Sequence, residues 1–247
     1  MLFAEEGKLQ EDLNGKGDIN MTLICVSGQA RHGKTTFSTY LAEGLKEVMD
    51  KDFVLMNYAD ELKIRLRNDF DLTHDQLYGE KKEEPDYRYR KEVKYASIAS
   101  PFDNYEDGKL WEDKDLYWSA RELMQFIGTD CYRKIDYNFW VKSLFKRIEQ
   151  ENINNIIVAD CRFKNEIDAI VDRGGYHVRI LRPNFGGIDG KTHESEIALE
   201  DDYKIDFKIN NIGTLTDLNI LALDTAKIIK HLIENTTYIG EKNEYNS

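Results

Sequence analysis

The sequence predicts an α/β protein built on a central, mostly parallel β-sheet that is flanked by helices. Short apolar segments rich in β-branched residues alternate with segments of helical periodicity, which is the pattern that produces parallel sheets. The first apolar segment ends in a glycine-rich turn directly before a helix. The chain has 247 residues, of which 41% are hydrophobic, and this is enough for one large α/β domain.

The predicted strands and helices follow one another along the chain. The first strand is predicted at residues 22–28, and the next helix has apolar residues at spacings of three and four from Phe37 to Val48. Further strands are predicted at 53–59, 155–160, 176–183 and 203–211. Further helices are predicted at 60–70, 118–135, 138–150, 165–175 and 215–235.

Residues 68–118 differ from the rest of the chain, because they are densely charged and rich in turn residues. They are predicted to be an insertion of helices and loops. The charged stretch around Tyr87 and Tyr89 is expected to be a solvated helix. Residues 1–20 are expected to be a disordered extension, and residues 236–247 a C-terminal tail.

Composition excludes some classes of function. The chain has 34 Lys and Arg against 46 Asp and Glu, a formal charge of −12, which disfavours binding to a nucleic-acid polymer. No apolar run approaches the roughly 20 residues of a membrane helix, and the acidic N-terminus does not resemble a signal peptide. The three cysteines form no C-x-x-C pair, so a reducing, cytoplasmic location is expected.

The glycine-rich turn is the strongest functional signal. Residues Gly28–Thr35, here called the phosphate loop, fit the pattern G-x-x-x-x-G-K-[ST] between a predicted strand and helix. Glycines let the backbone wrap an anion, and the N-terminal end of the helix attracts negative charge. The pattern predicts binding of a nucleoside triphosphate, in particular ATP. The residues assigned to this ligand from the loop are Gly28, Gly33, Lys34, Thr35 and Thr36, and Thr35 is also assigned to Mg²⁺.

A carboxylate follows the predicted strand at 155–160. Asp160 comes after apolar residues, at the edge of the sheet where α/β folds bind ligands. It is assigned to the metal or nucleotide, with capping of the next helix as the alternative. Arg162 is placed at the same edge. Arg31 inside the loop and Arg182 after a strand are also assigned to the phosphates, because phosphoryl transfer requires converging positive charge.

Several further motifs resemble one family. They are R-x-L-M-Q-x-x-G-T-D at 121–130, W-V-K at 140–142, D-x-R at 160–162 and R-P at 182–183. In order and spacing these motifs resemble the deoxynucleoside monophosphate kinases of T-even-type bacteriophages. The similarity runs from about Met21 to Leu232 and is thin between residues 70 and 115. One difference is Thr35, where the phage pattern has an acidic residue.

The resemblance implies a P-loop NTPase fold of the adenylate-kinase type over residues 21–235. It implies transfer of phosphate from MgATP to a deoxynucleoside 5′-monophosphate, for nucleotide supply to DNA synthesis. The catalytic residues are then Lys34, Asp160 and Arg162, together with Arg31, which is assigned by its placement. Asn210 and Asn211 lie where related small-molecule kinases hold the adenine of ATP, and Arg182 is assigned to ATP by its placement. Lys63 is assigned to the acceptor nucleotide by its placement after the second strand. The other residues assigned to the acceptor are Arg121, Gln125, Gly128, Thr129, Asp130, Trp140, Lys142 and Glu166.

Two alternatives remain open at this point. A kinase of the same architecture could act on another small phosphorylated acceptor, such as phosphomevalonate or dephospho-coenzyme A. A binding or switch protein could instead turn over ATP slowly. A homodimer is also left open, no membrane or nucleic-acid partner is expected, and a phage-encoded protein would act in the host cytoplasm.

Overall fold

The computed structural model describes residues 21–91, 116–183 and 203–244, with side chains described as far as residue 235. The chain forms two compact units. The first lies within Met1–Asn57 and Phe145–Ser247, and the second is Tyr58–Leu144. The predicted extension at residues 1–20 lies outside the described residues.

The described residues form seven strands and seven α-helices, together with one 3₁₀-helix and one π-helix. The strands are β1 (Thr22–Ser27), β2 (Val54–Met56), β3 (Pro85–Arg90), β4 (Tyr117–Ser119), β5 (Asn155–Cys161), β6 (Tyr176–Leu181) and β7 (Phe207–Asn210). The α-helices are α1 (Lys34–Met49), α2 (Ala59–Phe70), α3 (His74–Tyr78), α4 (Ala120–Gln125), α5 (Phe139–Glu151), α6 (Lys164–Val171) and α7 (Leu215–Glu244). The 3₁₀-helix is Glu80–Glu83 and the π-helix is Phe126–Arg133.

The first unit contains a five-stranded sheet in the order β2-β5-β1-β6-β7. Every neighbouring pair in this sheet is parallel. Strand β1 lies at the centre, and all six of its residues are buried. The predicted mostly parallel sheet flanked by helices is therefore confirmed, and the sequence pattern of β1 is that of a strand covered on both faces.

The main core of the first unit lies between the sheet, α1 and α7. Its fully buried members include Ile24 and Val26 of β1, Phe37 and Leu41 of α1, and Ala226 of α7. Burying a large apolar side chain stabilises a fold by about 1.5–3 kcal/mol. This layer therefore holds α1, the helix that begins at the phosphate loop, firmly against the sheet.

The second unit contains a strand pair in place of the solvated helix expected around Tyr87 and Tyr89. Strand β3 pairs with β4 in an antiparallel ladder. Its sequence, P-D-Y-R-Y-R, alternates aromatic and basic residues with the period of a strand. The ring of Tyr89 packs on Phe70 at 5.4 Å, and its hydroxyl donates a hydrogen bond to the Phe70 carbonyl. Contacts between distant segments thus decide the conformation of this charged stretch.

Several other boundaries differ from the sequence predictions; β2, for example, is Val54–Met56 where a strand at 53–59 was predicted. The predicted helix at 118–135 begins at Ala120, because Trp118 and Ser119 belong to β4. Residues 203–206 precede β7 rather than forming part of it. Helix α7 continues to Glu244, beyond the predicted boundary at residue 235. No helix in the described part of the chain is long and apolar enough to span a membrane.

A buried carboxylate in β3 predicts a pH dependence of stability. The carboxylate of Asp86 is buried and accepts hydrogen bonds from Arg88 and Gln76. These bonds lower the pKa of Asp86 from 3.8 to about 2, and the bond from Arg88 is the largest cause. Because the pKa is lower in the folded state, the stabilisation is present above pH 4 and is lost as the pH falls towards 2. We expect Asp86→Asn to lower the free energy of unfolding at pH 7 and to differ little from wild type near pH 2. Urea unfolding across this range measures the difference. The exposed Asp69 on α2 gives a matched control, Asp69→Asn, and an equal effect of both substitutions at pH 7 would contradict the assignment.

Candidate nucleotide-binding site

The phosphate loop connects β1, the central strand, to the N-terminus of α1. Gly33 is the N-cap of α1 and has a left-handed backbone with φ 92°. The helix has 16 residues, no acidic residue in its first turn and no hydrogen bond from a capping side chain. A helix N-terminus without a carboxylate or a cap favours an external anion, because its N–H groups and dipole present positive charge. The loop therefore has the local structure of a phosphate site.

Two glycines allow the loop to lie close to the ends of β6 and β7. A Cβ atom on Gly28 would lie 2.5 Å from the backbone oxygen of Ile180, and the φ of Gly28 is 149°. A Cβ atom on Gly33 would lie 2.7 Å from the side-chain nitrogen of Asn211. Glycine is therefore required at position 28 by close contact with backbone as well as by conformation, and at position 33 by its left-handed backbone.

Lys34 lies folded over the loop. Its ammonium group donates hydrogen bonds to the carbonyl oxygens of Gly28 at 2.7 Å and Gln29 at 2.9 Å. These bonds place the positive charge at the mouth of the loop, where the phosphates of a triphosphate would lie. The same charge would then be shared between the loop carbonyls and the phosphate oxygens.

Buried histidines support the loop from two sides. The His32 ring contacts the Ile180 carbonyl at 3.4 Å. Burial is the main cause that lowers the pKa of His32, and the charges of Lys34, Arg179 and Arg182 lower it further. The His177 ring has its Nδ1 atom 3.0 Å from the Lys204 carbonyl, so this nitrogen carries the proton, and Nε2 accepts from the Ser27 hydroxyl at 2.7 Å. The end of β1 is thus fixed just before the loop begins.

The catalytic residues predicted at the end of β5 lie next to β1, the strand that leads into the phosphate loop. Cys161 pairs in register with Ser27, so Asp160 and Arg162 lie at the carboxyl end of the strand adjacent to β1. Asp160 is half-buried. The buried carboxylate of Glu166 accepts the backbone N–H groups of Arg162 at 2.7 Å and of Phe163 at 3.1 Å. In this structure Glu166 therefore caps α6 and orients the backbone at Arg162.

A cavity of about 440 Å³ adjoins the loop within the first unit. We call it the loop cavity. It is lined by Arg31, Gly33, Lys34, Thr35, Thr36, Arg182, Asn211, Gly213, Thr214, Leu215 and Leu218. Its walls combine two arginines with the apolar side chains of Leu215 and Leu218 at the start of α7. This combination of a charged mouth and an apolar wall suits a phosphorylated ligand that has an aromatic ring.

The motif at 121–130 lies entirely in one continuous helical segment of the second unit. Arg121 and Gln125 lie on α4, and Gly128, Thr129 and Asp130 lie in the π-helix that continues it. The π-helix is a rare conformation that occurs frequently at functional sites.

Trp140 of α5 fixes the position of this π-helix. The Trp140 indole N–H donates a buried hydrogen bond to the Gly128 carbonyl at 2.8 Å. A Cβ atom on Gly128 would lie 2.8 Å from the Leu62 side chain, so α2 also packs closely there. Gly128 and Trp140 thus have structural contacts within the second unit.

The charged residues predicted to contact the acceptor have protein partners in this structure. Arg121 donates to Glu83 at 3.0 Å, and the ammonium group of Lys63 lies 4.2 Å from the centre of the Tyr78 ring. Lys142 pairs with Asp136 at 2.8 Å, and this hydrogen bond is the main cause that lowers the pKa of Asp136. Asp130 lies 3.6 Å from Lys134.

Sequence reasoning missed several residues of the first unit. Leu215 and Leu218 line the loop cavity, yet their apolar spacing at the start of a helix indicates only core packing. Arg179 is 5% exposed on β6, in register with Ser27 of β1. A charged residue inside an apolar strand is a signal that could have identified Arg179, because buried arginines are rare.

The mostly parallel sheet flanked by helices, with the phosphate loop at the end of its central strand, is consistent with the α/β fold of P-loop kinases. A family model described as deoxynucleotide monophosphate kinase matches residues 60–221, more than half of the chain. The chain therefore belongs to the deoxynucleotide monophosphate kinase family, a family of phosphotransferases. The resemblance drawn from the sequence motifs is thereby confirmed.

The chain is similar to proteins of three viruses, two of which are named as deoxynucleotide monophosphate kinases. A protein of Acanthamoeba polyphaga mimivirus, named as a deoxynucleotide monophosphate kinase, is 27% identical over 214 residues, covering 80% of this chain and 92% of its own length. The deoxynucleotide monophosphate kinase of Enterobacteria phage T4 is 30% identical over 142 residues, covering 56% of this chain and 54% of the phage protein. An uncharacterized protein of Ictalurid herpesvirus 1 is 34% identical over 99 residues, covering 38% of this chain and 42% of its own length.

The close contact at Gly28 predicts a selective loss of phosphate binding. We expect Gly28→Ala to weaken binding of inorganic tripolyphosphate more than tenfold, because the new methyl group would displace the loop from the Ile180 carbonyl. Isothermal titration calorimetry measures the affinity. Gly174→Ala is the control, since Gly174 also has a positive φ of 79° but no atom within 4 Å of its added Cβ. That variant should lose only about 1 kcal/mol of stability, and equal affinities in both variants would contradict the close-contact argument.

Proposed function

We propose that this protein transfers the γ-phosphoryl group of ATP, in the presence of Mg²⁺, to a deoxynucleoside 5′-monophosphate and so supplies diphosphates for DNA synthesis. The observation that supports this proposal is the continuity between the phosphate loop and the loop cavity. Gly33, Lys34 and Thr35 belong to the loop and also line the cavity, so one ligand can place its phosphates on the loop and its base against Leu215. A nucleoside triphosphate has this combination of groups.

The transfer is an in-line displacement. A phosphate oxygen of the acceptor attacks the γ-phosphorus of ATP, the bond from that phosphorus to the β,γ-bridging oxygen breaks, and ADP leaves. The protein contributes mainly position and positive charge. We assign Lys34 to the β- and γ-phosphates and Arg31, Arg162 and Arg182 to the negative charge that is shared during transfer.

The oxygen donors near the loop fit Mg²⁺. Thr35 supplies a hydroxyl group in the first turn of α1, and Asp160 supplies a carboxylate at the end of the adjacent strand. Among the described residues no group of three or more His, Cys, Asp or Glu side chains could hold a metal alone. Mg²⁺ usually binds through one or two protein groups together with substrate phosphates, so this sparse set is suitable. Bound there, the ion would neutralise charge on the β- and γ-phosphates.

We assign acceptor recognition mainly to the second unit. The residues proposed to contact the deoxynucleotide are Lys63, Arg121, Gln125, Thr129, Asp130 and Lys142. Gly128 and Trp140 support them, because the buried Trp140 side chain donates its indole N–H to the Gly128 carbonyl and so holds the π-helix in place. Glu166 is proposed to act through the Arg162 backbone, which its carboxylate holds.

The acceptor is tested directly by a coupled assay of ADP release with MgATP. The panel contains dGMP, dTMP, dCMP, dAMP, their ribose forms, phosphomevalonate and dephospho-coenzyme A. We expect deoxynucleotides to stimulate ADP release many-fold, and Lys34→Ala to abolish this stimulation while far-UV circular dichroism stays unchanged. Stimulation by phosphomevalonate or dephospho-coenzyme A alone would reject the nucleotide acceptor. No stimulation by any compound would favour a binding or switch protein.

The proposed role of Arg121 predicts that its loss changes the KM for the deoxynucleotide more than the KM for ATP. Its side chain is 29% exposed, and its guanidinium bonds to Glu83 through Nε. We expect Arg121→Ala to raise the KM for the deoxynucleotide about tenfold or more, because a charge-assisted contact to phosphate is lost, while the KM for ATP changes less than twofold. Initial rates with each substrate varied in turn measure this. Glu83→Ala serves as the control for loss of the ion pair alone, and an equal rise in both KM values would place Arg121 outside the acceptor site.

A further inference from the structure

Asn211 connects the end of β7 to the phosphate loop. Its side-chain amide donates a hydrogen bond to the His32 carbonyl at 3.0 Å, across 179 residues of sequence. Its backbone N–H donates to the Leu181 carbonyl at 2.7 Å, which extends the pairing of β6 with β7. The side chain is thus held on a rigid element while it bonds to a loop residue.

The His32 carbonyl belongs to the peptide that directly precedes the N-cap of α1. The next residue, Gly33, is the N-cap of α1 and has a left-handed backbone. The nitrogen that bonds to His32 also lies within 2.7 Å of where a Cβ atom on Gly33 would be. On its other side, His32 donates its backbone N–H to the Gln29 carbonyl at 3.3 Å. Asn211 therefore restrains the peptide that sets the direction of the first N–H groups of α1.

We propose that Asn211 is a positioning residue for phosphate binding that acts through the His32 carbonyl rather than through the base of the donor nucleotide. This inference rests on the proposed function, because it assumes that the phosphate loop binds a triphosphate. It differs from the adenine contact expected from the sequence. Asn211 lines the loop cavity, but one N–H of its amide holds the loop. When the bond is lost, the loop peptide can rotate and the N–H groups at the start of α1 no longer converge on one anion.

The test compares ATP with two ligands that each contain only one part of it, the phosphate chain or the nucleoside. We would measure the Kd values of ATP, inorganic tripolyphosphate and adenosine by calorimetry for wild type, Asn211→Ala and Asn211→Leu. The leucine variant keeps a branched side chain against Gly33 while it removes the donor. Loss of a neutral hydrogen bond, with a carbonyl left unsatisfied, predicts an affinity decrease of about tenfold. We expect this decrease for both ATP and tripolyphosphate, and an unchanged Kd for adenosine.

Asn219→Ala is the control, because Asn219 is an exposed asparagine on α7. A decrease for ATP and adenosine, with tripolyphosphate unchanged, would overturn the inference and make Asn211 a base contact. A lower melting temperature with all three Kd values unchanged would overturn it as well, since the role would then be structural alone. If wild type binds neither tripolyphosphate nor ATP, the proposed function fails before the variants are compared.

Discussion

The close packing of the phosphate loop on the ends of the parallel strands is the constraint on which the first unit depends. Strand β1 pairs with β5 on one side and with β6 on the other, so its carboxyl end lies between Cys161 and Arg179. Gly28 can leave β1 only by passing against the Ile180 carbonyl, at a distance that excludes a side chain. Because the core fixes α1 against the same sheet, the chain between them has little freedom. The anion site is a consequence of this geometry, since it forms where the strand ends and the helix begins.

The charge around this loop is opposite in sign to that of the whole chain. The protein has a formal charge of −12, yet Arg31, Lys34 and Arg182 line one cavity. Burial, together with the charges of Lys34, Arg179 and Arg182, lowers the pKa of His32, so the histidine inside the loop is neutral near pH 7 and adds no further positive charge. A local positive field at the loop therefore coexists with a net negative charge on the whole chain.

Much of the fold was predictable because its strands and helices differ in the sequence spacing of their apolar residues. Buried strands and amphipathic helices alternate clearly, and the glycine pattern located the phosphate loop. The charged stretch at 85–90 was not predicted, since its strand form depends on Tyr89 packing on Phe70 and on pairing with β4. The π-helix at Phe126–Arg133 was missed because it has no sequence signature distinct from that of an α-helix. The bond from Asn211 to His32 was equally hidden, because it joins residues 179 positions apart.

A motif identifies residues but not the atoms that they use. Trp140 and Glu166 belong to the predicted acceptor set, yet their polar atoms bond to the backbone at Gly128 and Arg162. A buried polar group that is already hydrogen-bonded gains little by exchanging its partner for a ligand, whereas losing that partner costs about 1–3 kcal/mol. Such residues therefore affect a substrate mainly through the segments that they hold. The same argument separates Lys34, whose ammonium group can share its protons with phosphate, from Asn211, whose amide holds the loop in place.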